Sequence, residues 1–186
     1  MEKELKIALS HLDKGGVILY PTDTVWGLGC DATKEHAVDK IYEIKRRKAS
    51  KSLIILVDSF EMLQEYVSII PEEVKRVLSN TIKPTTIIYR NPIGLASNVV
   101  AIDTSIAIRI VQDEFCQSLI KKFGKPIVST SANISGEGTP RSFKEIDPSI
   151  LDAVDYVVNL RHDEVTKGSS RLIKILDDGT TETLRD

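Results

Sequence analysis

The densest chemistry in the chain lies between Lys45 and Lys51, where five of seven residues are cationic: Lys45, Arg46, Arg47, Lys48 and Lys51. Cations at that density suit a polyphosphate or an RNA backbone, and arginine adds a planar fork that phosphate accepts from at two points. If the helix before the run continues through it, Arg47 and Lys51, four apart, share a face. A helix end also favours such a run through its dipole, with no ligand at all. A second stretch, Ser129, Thr130, Ser131 and Asn133, follows an apolar segment and has Gly136 and Gly138 close behind. Hydroxyls and an amide at the carboxyl end of a strand suit a polar ligand, since that end is the usual crevice of an open α/β sheet. A Ser/Asn-rich turn is the plainer reading. Third, Arg109 sits inside SIAIRIV. A charge among apolar neighbours needs an ion-pair partner or a ligand. Fourth, Gly27-Leu28-Gly29-Cys30-Asp31-Ala32 fits GxGxxA. That pattern hints at a dinucleotide site, but PTDTVW separates it from its strand, and Asp58 lies too far on for the ribose acid. A tight turn needing small residues explains it as well.

Composition narrows the field. The chain has 186 residues, 41% of them hydrophobic and 28% charged, with a formal net charge of −2. One domain spanning 1–186 is expected, and a chain-wide basic coat for nucleic acid is excluded. Cys30 and Cys116 are too far apart to read as a disulfide framework or a metal knuckle, and His11, His36 and His162 are scattered, so no metal site is expected. The longest apolar runs, such as Leu53 to Val57, are far short of the roughly 20 residues a bilayer needs. The charged N-terminus MEKELKIALSHLDKG is unlike a signal peptide. A soluble, cytoplasmic protein with no membrane contact is the expectation. No GxxxxGK[ST] loop or GxSxG elbow occurs.

The elements that must hold these residues alternate. Leu5, Ala8 or Leu9, and Leu12 predict a helix stopped by Gly15-Gly16. Val17 to Tyr20 reads as a strand, 21–32 as a loop, and Thr33 as the N-cap of a helix through Val38, Ile41 and Ile44. Ser52 to Val57 reads as a strand, with Asp58 or Ser59 capping the next helix. Pro71-Glu72-Glu73 reads as a first helical turn with Pro at N1. Strands follow at Thr85 to Tyr89 and Ser105 to Val111, then a helix from Asp113 to Phe123 ended by Gly124. A strand at Pro126 to Ser129, a short helix at Pro148 to Val154 and a strand at Tyr156 to Leu160 come next. Asp177-Asp178-Gly179 predicts a terminal hairpin. The sum is α/β: a single-domain, twisted mixed β-sheet with flanking helices.

Taken together, PTDTVWGLGCDA (21–32), Lys45-Arg46-Arg47 with Lys51-Ser-Leu, SIAIRIV (105–111), KPIVSTSANISG (125–136) and Gly168-Ser169-Ser170 resemble the YrdC-like threonylcarbamoyl-adenylate synthase family. The resemblance implies a twisted α/β sheet with a concave cationic face. It implies an enzyme that joins L-threonine, bicarbonate and ATP into threonylcarbamoyl-AMP with release of pyrophosphate, Mg²⁺ accompanying ATP. A partner complex then moves the group to the tRNA adenosine beside the anticodon. By the same resemblance Lys45, Arg47 and Lys51 are catalytic on the phosphate side. Arg47, Lys51, Ser105, Ser131, Asn133, Thr139 and Arg185 take ATP, and Thr24, Arg109, Ser129 and Ser170 take threonine. Leu56 stands where the family commonly has a polar residue. The basic run keeps a second reading open, a non-catalytic protein binding double-stranded RNA or tRNA, or a regulatory relative.

Overall fold

The computed structural model describes residues 1–47 and 53–186. Within these residues nine strands form one mixed sheet: β1 (Ile18–Tyr20), β2 (Gly27–Gly29), β3 (Ile54–Val57), β4 (Thr85–Arg90), β5 (Ser105–Ile110), β6 (Ile127–Ser131), β7 (Tyr156–Val157), β8 (Arg171–Ile175) and β9 (Thr181–Arg185). Their order is β7-β1-β2-β6-β3-β5-β4-β8-β9. β3 runs parallel to β5, β4 to β8, and β1 to β7, and the other neighbours are antiparallel. Among the described residues six α-helices flank it: α1 (Glu2–Asp13), α2 (Glu35–Ile44), α3 (Phe60–Tyr66), α4 (Glu72–Asn80), α5 (Glu114–Phe123) and α6 (Pro148–Ala153). The continuous core joins Leu5, Ala8 and Leu12 of α1 to Val38 and Ile41 of α2, Leu119 and Ile120 of α5, and the central strands.

Local chemistry explains most boundaries. Ser59 caps α3 by accepting from the Met62 amide, and Asp113 caps α5 by accepting from the Cys116 amide. Gly124 ends α5 in the left-handed conformation at φ +70°, where a side chain is strained. Other boundaries differ from expectation. The stretch 21–32 is not loop throughout, because Gly27–Gly29 pairs with β1 on one side and β6 on the other. Those glycines therefore belong to a buried strand and not to a phosphate loop, which removes the dinucleotide reading. At Gly29 a Cβ would meet the Tyr20 ring at 2.5 Å and the Val128 carbonyl at 2.9 Å, so close strand packing demands glycine there. Thr33 does not cap α2. Its amide and hydroxyl both donate to Asp31 Oδ1, at 2.8 and 2.6 Å, and Lys34 holds the cap position. Pro71 is the N-cap of α4 rather than its first residue. The strand expected through Leu160 stops at Val157.

Candidate functional site

Helix α2 ends at Ile44, and the backbone then reverses through Arg46 at φ +50°. The helix therefore ends before Arg47, and the face that Arg47 is expected to share with Lys51 falls on residues that are not described. Lys48 and Lys51 lie outside the described residues. Lys45 is 1% exposed, and its ammonium points inward rather than to a cleft. It donates to the Ser131 carbonyl, to the Asn133 carbonyl at 2.7 Å and to Asn133 Oδ1 at 3.4 Å. Burial and the neighbouring Arg47 charge push this ammonium down to about 8, while three oxygens accept from it and hold its proton. The Lys45 carbonyl in turn accepts from the Ser135 amide at 2.9 Å. The end of α2 and the turn after β6 are thus one welded unit.

Beside that unit opens a cleft of about 220 Å³. It is lined by Thr24, Val25, Arg47, Leu53, Ile54, Arg109, Ser129, Thr130, Ser131, Thr139, Ser169, Ser170 and Arg185. Three guanidinium groups and seven hydroxyl side chains converge, and none of these lining residues is acidic. The register explains the convergence. Ile54 of β3 stands between Ala107 of β5 and Ser129 of β6, and Gly27 faces Ser131 across β2 and β6. A Cβ on Gly27 would meet Ser129 Oγ at 3.1 Å, so the missing side chain leaves the hydroxyl room.

Hydrogen bonds fix how the polar atoms present themselves. Thr22 Oγ1 donates to the Val25 carbonyl at 2.8 Å and accepts from the Thr24 amide at 3.1 Å. With its one proton used, it accepts from Thr24 Oγ1 at 3.0 Å. Arg109 Nη2 donates to Thr24 Oγ1 at 3.3 Å. The Thr24 hydroxyl is left with acceptor capacity towards a ligand. On the far wall Ser170 Oγ lies 2.7 Å from Thr86 Oγ1, and Arg185 Nε donates to the Ser170 carbonyl at 3.0 Å. Ser131 Oγ donates to Asn133 Oδ1 at 2.5 Å. Trp26 packs under the first wall against Phe143 and His162, whose rings stack at 3.8 Å.

Of the residues singled out from sequence, Thr24, Arg47, Arg109, Ser129, Ser131, Thr139, Ser170 and Arg185 therefore share the cleft. Asn133 stands just behind Ser131, with its Oδ1 turned to it. Ser105 is not a lining residue, since it opens β5 and donates to Asp103 Oδ1 at 2.6 Å. Leu56 is fully buried opposite Arg109 in the sheet register and does not line the cleft. Sequence reasoning passed over Val25, Leu53, Ile54 and Ser169 as lining residues; the alternation of β3 was the available signal for Ile54. Among the described residues no three His, Cys, Asp or Glu side chains come together as metal ligands. No helix among them is long and apolar enough to cross a membrane.

Comparison with known proteins agrees with this geometry. Residues 10–186 match the Sua5/YciO/YrdC family model, described as "Telomere recombination". The threonylcarbamoyl-AMP synthase of Xanthomonas campestris pv. campestris (strain B100) is 36% identical over 186 residues, covering 98% of this chain and 97% of that one. The crystal structure of P. abyssi Sua5 complexed with L-threonine superposes with a TM-score of 0.89 at 29% identity. All of this chain is covered but only 54% of that one, so the chain spans about half the length of that relative. E. coli YciO shares the fold, with a TM-score of 0.83 at 22% identity over all of this chain and 90% of its own. A match across nearly the whole length, on a fold that gathers the same motifs around one cleft, shows that the chain belongs to the Sua5/YciO/YrdC family.

Proposed function

We propose that the protein is an L-threonylcarbamoyladenylate synthase, making threonylcarbamoyl-AMP and pyrophosphate from L-threonine, bicarbonate and ATP. The observation that carries this reading is the cleft in which Arg47, Arg109 and Arg185 meet seven hydroxyls with no acid among the lining residues. Such a lining suits a ligand set rich in phosphate and carboxylate. The match to a relative named for the reaction supports it.

The chemistry maps onto the cleft. Threonine's carboxylate accepts from Arg109, and its amine donates to the free acceptor side of Thr24 Oγ1, with Ser129 and Ser170 closing around it. The neutral amine adds to carbon dioxide with loss of a proton, or to bicarbonate with loss of water, giving a carbamate. A carbamate oxygen then attacks the α-phosphorus of ATP, and pyrophosphate leaves with the electron pair of the broken P–O bond. Negative charge grows on the departing phosphates, so fixed cations contribute most to the rate. Arg47 supplies one, and Lys51 is assigned the same role from its place in the sequence. Ser131, Thr139 and Arg185 line the nucleotide side. Lys45 acts from behind, holding the Ser131–Asn133 turn in place. Mg²⁺ is expected to enter bound to ATP. A partner complex then takes the group to the tRNA adenosine beside the anticodon. No observation favours the RNA-binding alternative.

The test is pyrophosphate release. It is expected to require ATP, L-threonine and bicarbonate together, and Arg47→Ala should slow it by about 10²–10³-fold, the scale for losing one charge-stabilising donor. Release that proceeds equally without threonine would overturn the assignment.

A further inference from the structure

Arg109 is paired with Asp23, which is not among the residues lining the cleft. Both side chains are almost fully enclosed, at 3% and 9% exposed. Asp23 Oδ1 accepts from Arg109 Nη2 at 3.0 Å, and Oδ2 accepts from the Gln112 amide at 3.2 Å. One carboxylate therefore ties the 21–26 loop to the chain leaving β5, with each oxygen on a different partner. Arg109 Nη2 also donates to Thr24 Oγ1 at 3.3 Å. Its Nε is buried with no partner among the described residues. That N–H is enclosed, so no ligand oxygen reaches it; Nη1, which makes no hydrogen bond among the described residues and is not enclosed in that way, is the nitrogen left to meet one.

A guanidinium on a long flexible stem has many orientations, and each must be given up when a planar ligand is bound. Anchored at Nη2 by Asp23 and Thr24, the plane of Arg109 is set before the ligand arrives. We propose that Asp23 is a positioning residue for substrate recognition: it fixes the Arg109 guanidinium so that the arginine, through Nη1, takes the carboxylate of the amino-acid substrate. This rests on the functional reading above. Asp23 touches neither substrate nor reacting atoms in this arrangement, so its effect is confined to the amino-acid side of the cleft. The nucleotide side, built on Arg47, Ser131 and Thr139, has no contact with it.

The experiment is steady-state pyrophosphate release with threonine and ATP varied in turn, on wild type, Asp23→Ala, Asp23→Asn, Arg109→Ala and the double variant Asp23→Ala/Arg109→Ala. Asp23→Ala is expected to raise the threonine KM by about tenfold or more, the scale for losing a charge-assisted contact, with the ATP KM within about threefold. Asp23→Asn keeps one acceptor oxygen and loses the charge. It covers the case in which the alanine variant fails to fold, and is expected to show the same selectivity at smaller size. Once Arg109 is gone, adding Asp23→Ala should change the threonine KM by less than about twofold, because the two residues act as a unit. Equal rises in both KM values, a threonine KM within about threefold of wild type, or additive effects in the cycle would overturn the proposal while leaving the functional reading intact. Wild type without threonine-dependent release would sink that reading, and this inference with it.

Discussion

Lys45 and Arg47 lie two positions apart and do different things. Sequence puts both beside phosphate, because a cationic run carries no information on which ammonium turns inward. The structure separates them: Lys45 is enclosed and donates to oxygens of Ser131 and Asn133, whereas Arg47 lines the cleft. Lys45→Met keeps the stem and removes the donor that the half-buried Ser131 and Asn133 carbonyls share. The variant should lose about 2–4 kcal/mol of stability, read from the urea midpoint at pH 7. A midpoint unchanged from wild type would mean that the clamp contributes nothing to the fold. Arg109 shows the opposite case. From sequence an ion pair and a ligand clamp were equally good accounts of a charge in SIAIRIV. The structure pairs it with Asp23 through Nη2 and leaves Nη1 without a hydrogen bond among the described residues, so the two accounts are compatible.

At the scale of elements, some helix caps were legible and others, such as the one before α2, were not. Ser59, Asp113 and Gly124 act as their residue types dictate. Asp113 does more than cap. Arg161 donates to both its oxygens, at 2.6 and 3.0 Å. Burial pushes the Asp113 carboxyl up, but the Arg161 fork and the Cys116 amide outweigh it and hold the carboxyl below its usual 3.8. A carboxyl lowered in the folded state stabilises it above the ordinary value, and that contribution fades as pH falls through the lowered one. Asp113→Asn keeps a capping oxygen and loses the ion pair. It should cost about 1–3 kcal/mol at pH 7, and the gap from wild type should narrow steadily below pH 3.8. Urea titrations of both proteins across that range check it. Less legible was β2. Gly27-Leu28-Gly29 has little intrinsic strand preference, and only the neighbours on both sides make it one. The same cause hid Ile54 as a cleft residue, since which face of a short strand meets a cleft is settled by the pairing of distant segments.

At the scale of the whole molecule, the alternation of strands and helices announced an α/β sheet, but nothing local announced its order. β2 and β6 are neighbours although about a hundred residues separate them, and β4 pairs with β8 across a comparable gap. Cleft residues from Thr24 to Arg185 consequently meet only when the distant pairs have formed. Such pairs incur loop-closure entropy before they gain contacts, so folding on a millisecond-to-second scale is expected, as for other sheets of non-local pairing. The cleft should appear with the last of these steps and not before. The chain supplies its own means of watching this. It has one tryptophan, and that residue, Trp26, is buried against Phe143 and His162 directly beneath the wall that carries Thr24. Its emission is therefore an intrinsic optical reporter of the moment at which the amino-acid side of the cleft closes, with no label needed.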